Sequence, residues 1–363
     1  MKKIFVFMAL WVIGIAVVLN GCNCGKDNSD VPGVKPGVST EKPHALVTPV
    51  TMRIGFPKKG LILNHYGETL SRTNILEKNS LIGTITPVED DVVLRTAVIN
   101  KGLDVAFISD FQSILTLGAD FNGIIIANLG SLGQCALMVL PDSPTHKISE
   151  LKGKKIGVTL NTAEHSALLG WLKREGLQDG RDVQLVSISD ADKLNAMKAL
   201  QIDALVTTDP NVQDYIGKSI CRNIYDAHNY GVVLMSKDFY KQQPKAALRF
   251  VNALKETALF ISTHKPDVNN WIKGYCGIEE DLIWRISGIN IGYFSTRKIN
   301  EARLLLSDTF MSNLKNLAAY TLQQKLIYKT LIVGDVMVQE VQDEVKKEID
   351  PLKYDSTSVK VLK

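Results

Sequence analysis

The chain has 363 residues, 45% apolar and 22% charged, a balance that builds sizeable cores and excludes a disordered or collagen-like polymer. Its 42 basic and 38 acidic side chains leave a formal charge of +4 without a long basic block, so nucleic acid is excluded as the main partner. The 5 cysteines are too few for a disulfide scaffold, and their spacing matches no zinc module.

Met1-Lys2-Lys3, the apolar run Ile4–Leu19 and Asn20-Gly21-Cys22 open the chain. The run is shorter than the ~20 residues of a bilayer helix. A basic start, a short apolar stretch and a small residue at the break predict a secretory signal over 1–21. Leu19-Asn20-Gly21-Cys22 resembles the bacterial lipobox. That resemblance implies export, lipidation of Cys22 and a lipid anchor on a bacterial membrane, facing the periplasm or the outside. A plain signal anchor with Cys22 as an ordinary thiol is the alternative. Residues 22–50, rich in Gly, Pro, Ser, Asp and Lys, read as a flexible tether. Cys24 within it is either a second modified thiol or a spare one.

From Thr51 onward strands and helices alternate. Met52–Phe56 is a predicted strand ending in the loop Pro57-Lys58-Lys59-Gly60, and Leu81–Pro87 is a second. Asp90–Lys101 has apolar residues at helical spacing (Val93, Leu94, Ala97, Val98), acidic residues at its dipole-favoured start, and Gly102 as its stop. Asp104–Ile108 is a strand, Ser109-Asp110 begins a helix, and Ile124–Asn128 is a strand. The same grammar returns after residue 140: a helical turn at Ser149–Lys152, a strand over Lys155–Leu160, and a helix over Thr162–Glu175 stopped by Gly176. Then come a strand at Val183–Ile188, a helix at Ala191–Leu200 and a strand at Asp203–Val206. Asp209-Pro210 starts a further helix with Pro at its first position. This alternation predicts parallel sheets and an α/β class. From about Asn300 the pattern is helical, Glu340–Glu348 reads as a charged solvated helix, and 346–363 as a loose tail.

Leu94–Asp110 parallels Leu194–Asp209. Each is helix, turn, Asp, apolar strand, hydroxyl residue, Asp. Either any helix-to-strand unit looks like this, or two similar lobes present equivalent strand ends to a shared cleft, where ligands of open α/β sheets bind.

Over about Met52–Met337 the chain resembles the solute-binding proteins of bacterial ABC importers, in the nitrate, sulfonate, taurine and thiamine-precursor branch. The resemblance rests on Gly102–Asp110, Val139–Pro144 with Ile148–Thr159, Asn161–His165, Asp209-Pro210 and Gly231–Phe239, in that order. Thr208 stands where the family often has an aromatic residue, and Asn161-Thr162 where it usually has Gly-Ser. The resemblance implies a two-lobed, periplasmic-binding-protein-like fold of type II with a cleft between the lobes. Lobe 1 is expected over 51–138 plus 232–345 and lobe 2 over 139–231, joined by crossings near Val139 and Gly231. It also implies a monomer that closes on a small organic solute (sulfonate-, taurine- or pyrimidine-like) and delivers it to the permease and ATPase subunits of an importer.

Helix starts at Asp110, Thr162 and Asp209 follow strand ends, and a helix N-terminus is an anion site. Most candidates have a second reading. Ser109 stands beside Asp110 as a ligand candidate; Asp110 and Asp209 also suit helix capping, and Asn161-Thr162 with Glu164 has capping-box spacing. His165 is either a pocket residue or a packing one. Lys58 and Lys59 contact an anionic group or lie solvated in their loop. Phe111, His228 and Tyr230 supply aromatic walls, with core packing the alternative for Phe111. No Gly-x-Ser-x-Gly elbow, P-loop or Rossmann fingerprint occurs. The six histidines (His44, His65, His146, His165, His228, His264) never pair at i, i+4. Neither enzyme machinery, cofactor nor metal site is expected. A structural lipoprotein binding only protein partners remains the alternative function.

Overall fold

Two long strands organise the fold. In the computed structural model, which describes residues 48–58, 60–289, 295–302, 304, 306–338, 340–341, 343–344 and 358–362, β4 (Gly123–Val139) and β8 (Arg222–Ser236) pair antiparallel along their lengths. The other strands attach to their two halves. β1 (Val50–Pro57), β2 (Leu81–Val88) and β3 (Val105–Ser109) extend one half, with β3 on the Gly231–Met235 part of β8. β5 (Lys155–Val158), β6 (Gln184–Ser187) and β7 (Ala204–Thr208) extend the other, with β7 on the Cys135–Met138 part of β4. The order β2-β1-β3-β8-β4-β7-β5-β6 is the expected α/β class and two-lobed architecture.

Both half-sheets are buried on two faces, as parallel strands require. Along β3, Val105 and Phe107 enter one core with Phe56 and Phe250, while Ala106 and Ile108 enter another with Leu94 and Phe310. Along β4 and β7, Cys135, Leu137, Ala204 and Val206 face one second-lobe core, and Ala136, Met138 and Leu205 the other. The two-residue period sorts them.

Helices cover these faces. α1 (Leu61–Arg72), α2 (Ile75–Lys78), α3 (Asp91–Ile99) and α4 (Asp110–Gly118) belong to the first half; α5 (Ala163–Arg174), α6 (Asp190–Lys198) and α7 (Asn211–Gly217) to the second. α8 (Lys237–Gln242), α9 (Pro244–Thr263), α10 (Lys265–Cys276), α11 (Glu280–Ile289) and α12 (Asp308–Gln323) follow β8. No helix among the described residues is long and apolar enough to cross a membrane. The expected signal, Cys22, Cys24 and nearly all of the tether lie outside the described residues.

Several local expectations change. The β4–β8 register shifts at Asn128/Gly130 and Ser131/Gly133, so the passage between halves precedes Val139. Residues 135–138, expected in the first lobe, pack in the second-lobe cores. Lys101, not Gly102, takes the left-handed conformation after α3, and Pro210 is the N-cap of α7 rather than its first residue. Leu304 is buried as non-helical chain. The chain end is tied down rather than loose: Asn74 N–H donates to Lys360 O at 3.0 Å and Leu362 N–H to Arg72 O at 2.7 Å.

Candidate functional site

The strand ends and helix starts of both halves face a cleft of about 640 Å³. Ser109, Asp110, Phe111, Asn161, Thr162 and Asp209 all line it, so six residues expected from sequence are brought together. Lys58, His165, His228 and Tyr230 are not among its lining residues, and Lys59 lies outside the described residues.

The first-lobe wall is fixed by buried carboxylates. Ser109 caps α4, its Oγ accepting from Gln112 N–H at 3.4 Å and donating to Asp91 Oδ2 at 3.1 Å. Asp110 is therefore not the cap. Its Oδ1 accepts from Phe111 N–H at 2.8 Å, and its Oδ2 from Asn313 Nδ2 at 2.7 Å and Tyr230 N–H at 3.2 Å. It ties α4 to β8 and α12. Burial raises its pKa to about 6 against these stabilising bonds, because a desolvated charge is disfavoured. Burial likewise raises Asp91 to about 6, and its Oδ1 has no hydrogen-bond partner. Arg95, one turn along α3, also lines the cleft.

The second-lobe wall carries its own cation. Lys193, 1% exposed, bonds Glu164 Oε1 and reaches Asp190 Oδ1 at 3.0 Å. Glu164 also accepts from Thr159 N–H at 2.9 Å, and Asp190 from Thr207 Oγ1 at 2.8 Å and Asn211 Nδ2 at 2.6 Å. This network joins the ends of β5 and β7 to the starts of α5, α6 and α7. Thr162, not Asn161, caps α5 by accepting from His165 N–H at 3.4 Å, and Asn161 has φ 62°. The expected Asn161–Glu164 capping box does not form, because the Glu164 carboxylate turns inward to Lys193.

Asp209 does not donate its side chain to a cap of α7 either. Its Oδ2 accepts from Gln134 N–H at 2.7 Å, its own N–H donates to Gln134 O at 2.9 Å, and Oδ1 has no hydrogen-bond partner. Burial raises its pKa. A Cβ at Gly133, whose φ is +140°, would stand 2.7 Å from Asp209 Oδ2. Only glycine lets the crossing strand pass this carboxylate.

The remaining candidates stand behind or beside the cleft. His165 is buried, with Nδ1 2.8 Å from Tyr320 Oη and accepting from Asn161 N–H at 3.3 Å. Tyr230 packs edge-on against Phe310, and His228 Nδ1 lies 2.8 Å from Ser131 Oγ. Lys58 lies 3.9 Å from Glu89. Asp91, Arg95, Gln134 and Asp190 line the cleft but were not singled out from sequence. By sequence Asp91 is only an acidic residue at the start of its helix, and Asp190 lies just outside the helix expected over Ala191–Leu200. Among the described residues, no group of three or more His, Cys, Asp or Glu side chains is placed to hold a metal.

The family model described as NMT1-like matches residues 91–271. The resemblance read from the sequence holds. A periplasmic sulfonate-binding protein, SsuA, from Methylobacillus flagellatus KT superposes with a TM-score of 0.68 at 17% identity, covering 83% of this chain and 96% of that chain. The aliphatic sulphonate binding protein SsuA from Escherichia coli gives 0.66 at 15%, covering 81% and 99%. The desulfurization enzyme DSZB, solved as a mutant with biphenyl-2-sulfinic acid, gives 0.61 at 16%, covering 83% and 99%. No curated protein matches the chain. The fold is that of the periplasmic solute-binding proteins, and it is shared by at least one enzyme.

Proposed function

We propose that this chain is the solute-binding lipoprotein of an ABC importer, anchored through Cys22, that captures a small organic solute by lobe closure and delivers it to a membrane permease. The observation that carries the reading is the polar content of the cleft. Asp91 Oδ1 and Asp209 Oδ1, from opposite lobes, are buried acceptors without a donor, while Arg95 has no ion pair or hydrogen bond to a described residue. An unsatisfied buried polar atom costs about 1–3 kcal/mol. A ligand with N–H donors relieves the two carboxylates, and its anionic or carbonyl acceptor pairs with the half-buried Arg95. Nitrate offers acceptors alone, so taurine-like zwitterions and aminopyrimidines fit the cleft better.

A thermal-shift screen tests this, because a ligand that binds only the folded state raises the midpoint by mass action. Taurine or an aminopyrimidine is expected to outrank nitrate and simple alkanesulfonates, and Asp209→Asn or Arg95→Gln to weaken the winner about tenfold or more. Nitrate giving the largest shift overturns the donor requirement. The DSZB likeness makes recovery of unchanged ligand the necessary second readout, since product formation favours an enzyme. Cys135 and Cys221 are buried with thiol pKa values pushed up by burial, which supports a carrier over thiol chemistry.

Closure is proposed to bend at the crossings, where Gly130, Gly133 and Gly231 permit the backbone path. Small-angle scattering should show a smaller radius of gyration with the ligand bound; an unchanged radius refutes the hinge. Mass spectrometry of protein from native membranes should find an acylated Cys22 at a new N-terminus, and an unmodified start elsewhere refutes the anchor.

A further inference from the structure

The first lobe carries a second cavity, of about 1140 Å³. Val50, Thr51 and Asp104 line it, so it lies at the amino ends of β1 and β3, the sheet edge opposite the cleft. Val50, Phe239 and Leu248 form an apolar floor, partly exposed and continuous with the first-lobe core. Lys245 and Arg249, four residues apart on α9 and so on one helix face, line it as well.

Two nearby guanidinium groups have different surroundings. Arg53 bonds both oxygens of Asp104, at 2.7 and 3.0 Å, and Lys101 O at 2.9 Å, so the Asp104 charge is already used. Arg249 has no such partner. Its Nε and Nη1 are shielded from solvent and make no hydrogen bond. Glu344, the other acid lining the cavity, forms no ion pair with it among the described residues. A guanidinium stays charged, and a buried charged donor left unpaired is costlier than a neutral one.

We infer that this groove is a second binding site, for an organic carboxylate whose head meets Arg249, with Lys245 beside it, and whose apolar body lies on Val50, Phe239 and Leu248. Nε and Nη1 are shielded in the empty groove, so the anion draws the Arg249 fork towards it and supplies the missing acceptors through charge-assisted hydrogen bonds. The floor gives the body a surface to bury. The site is separate from the cleft, which neither Arg249 nor Lys245 lines.

The test uses hexanoate as the probe on the full chain, with hexanamide and acetate as controls, read by calorimetry and by hydrogen–deuterium exchange. Hexanoate is expected to bind at millimolar concentration or better and to slow exchange over residues 245–250. Arg249→Gln should weaken it about tenfold or more, and Arg95→Gln in the cleft should leave it unchanged. Hexanamide should lose the charge-assisted part, and acetate the apolar part. If Arg249→Gln does not fold, Lys245→Gln, at an exposed position, must still weaken hexanoate a few-fold. No hexanoate binding, protection confined to the cleft, or equal affinity in folded Arg249→Gln or Lys245→Gln overturns the site.

Discussion

Residues 91–111 and 190–210 follow the same path in the two lobes. Asp91 and Asp190 begin matching helices, Lys101 and Leu200 take the left-handed turn, and Ser109-Asp110 and Thr208-Asp209 reach the cleft. Even the supporting contacts repeat. Asp104 accepts from Arg53 N–H at 2.8 Å and Asp203 from Lys155 N–H at 2.8 Å. Gly55 packs against Leu103, and Gly157 against Ile202. One matched position differs in kind: Leu94 is a core residue, Lys193 a buried cation. The second lobe therefore neutralises Glu164 and Asp190 through Lys193, whereas the matched helix of the first lobe leaves Asp91 without a partner charge. The same backbone carries a cation-paired helix start in one lobe and an unpaired one in the other.

Removing the cation should break this contrast most. Lys193→Met strands Glu164 and Asp190, and losing one partner of a buried pair costs about 3–5 kcal/mol. Urea unfolding should show that loss, with part of it recovered by adding Glu164→Gln. A loss under about 1 kcal/mol means that Lys193 does no more than a surface ion pair would.

Acidification should act oppositely on the two kinds of buried group. Asp91 and Asp110 have folded-state pKa values raised to about 6. The folded chain then binds protons that the unfolded chain does not, so both groups favour folding as pH falls from 7 towards 4, by about 3 kcal/mol each. His65, with Nε2 2.9 Å from Asn269 Oδ1, is lowered to about 4 by burial. Its contribution is present above pH 6.5 and is lost as pH falls through 4, also about 3 kcal/mol. Asp209, also raised by burial, adds to the acid rise and His165, also lowered, to the acid loss, so each sign is read from its own variant rather than from the total. Asp91→Asn should stabilise the chain at pH 7 by about 1–3 kcal/mol and flatten the acid rise. Asp190→Asn should destabilise it by roughly 1 kcal/mol, since Asp190 is half exposed. Equal signs for the two variants would end the lobe comparison.

The strands and helices were legible because their apolar periods of 2 and 3.6 record local geometry. The cleft was legible where strand ends precede helix starts, at Ser109, Thr162 and Asp209. Side-chain roles were not. Asp110 suits a cap, and only the approach of Asn313 and Tyr230 N–H turns its carboxylate inward and leaves the cap to Ser109. Lys193 follows Asp190-Ala191-Asp192, a charged run in which nothing local marks one side chain as buried. Its burial comes from Glu164, far away in sequence. Matching Leu94 to Leu194 hid it, whereas the structural equivalence sets Leu94 against Lys193.

The smallest expected effect concerns the contact between lobes at His165. Burial lowers the pKa of this imidazole, so at pH 7 it is neutral and Nδ1 accepts from Asn161 N–H. Burial also raises Tyr320 to about 12, so its hydroxyl keeps its proton and donates to Nδ1, whose single lone pair it shares with the longer Asn161 N–H contact. The Tyr320 ring stands edge-on to the imidazole, α12 packs in the first-lobe core and α5 in the second. Tyr320→Phe removes one hydrogen bond between the lobes, worth about 0.5–1.5 kcal/mol, and leaves the ring packing. Protonating His165 removes the same acceptor, so the variant and low pH should act alike. Small-angle scattering of the wild-type chain should show a larger radius of gyration once the pH is low enough to protonate His165 than at pH 7. Tyr320→Phe should already show the larger value at pH 7 and respond less to acid. Equal radii and equal pH responses in both proteins would make this contact a packing detail rather than a latch between the lobes.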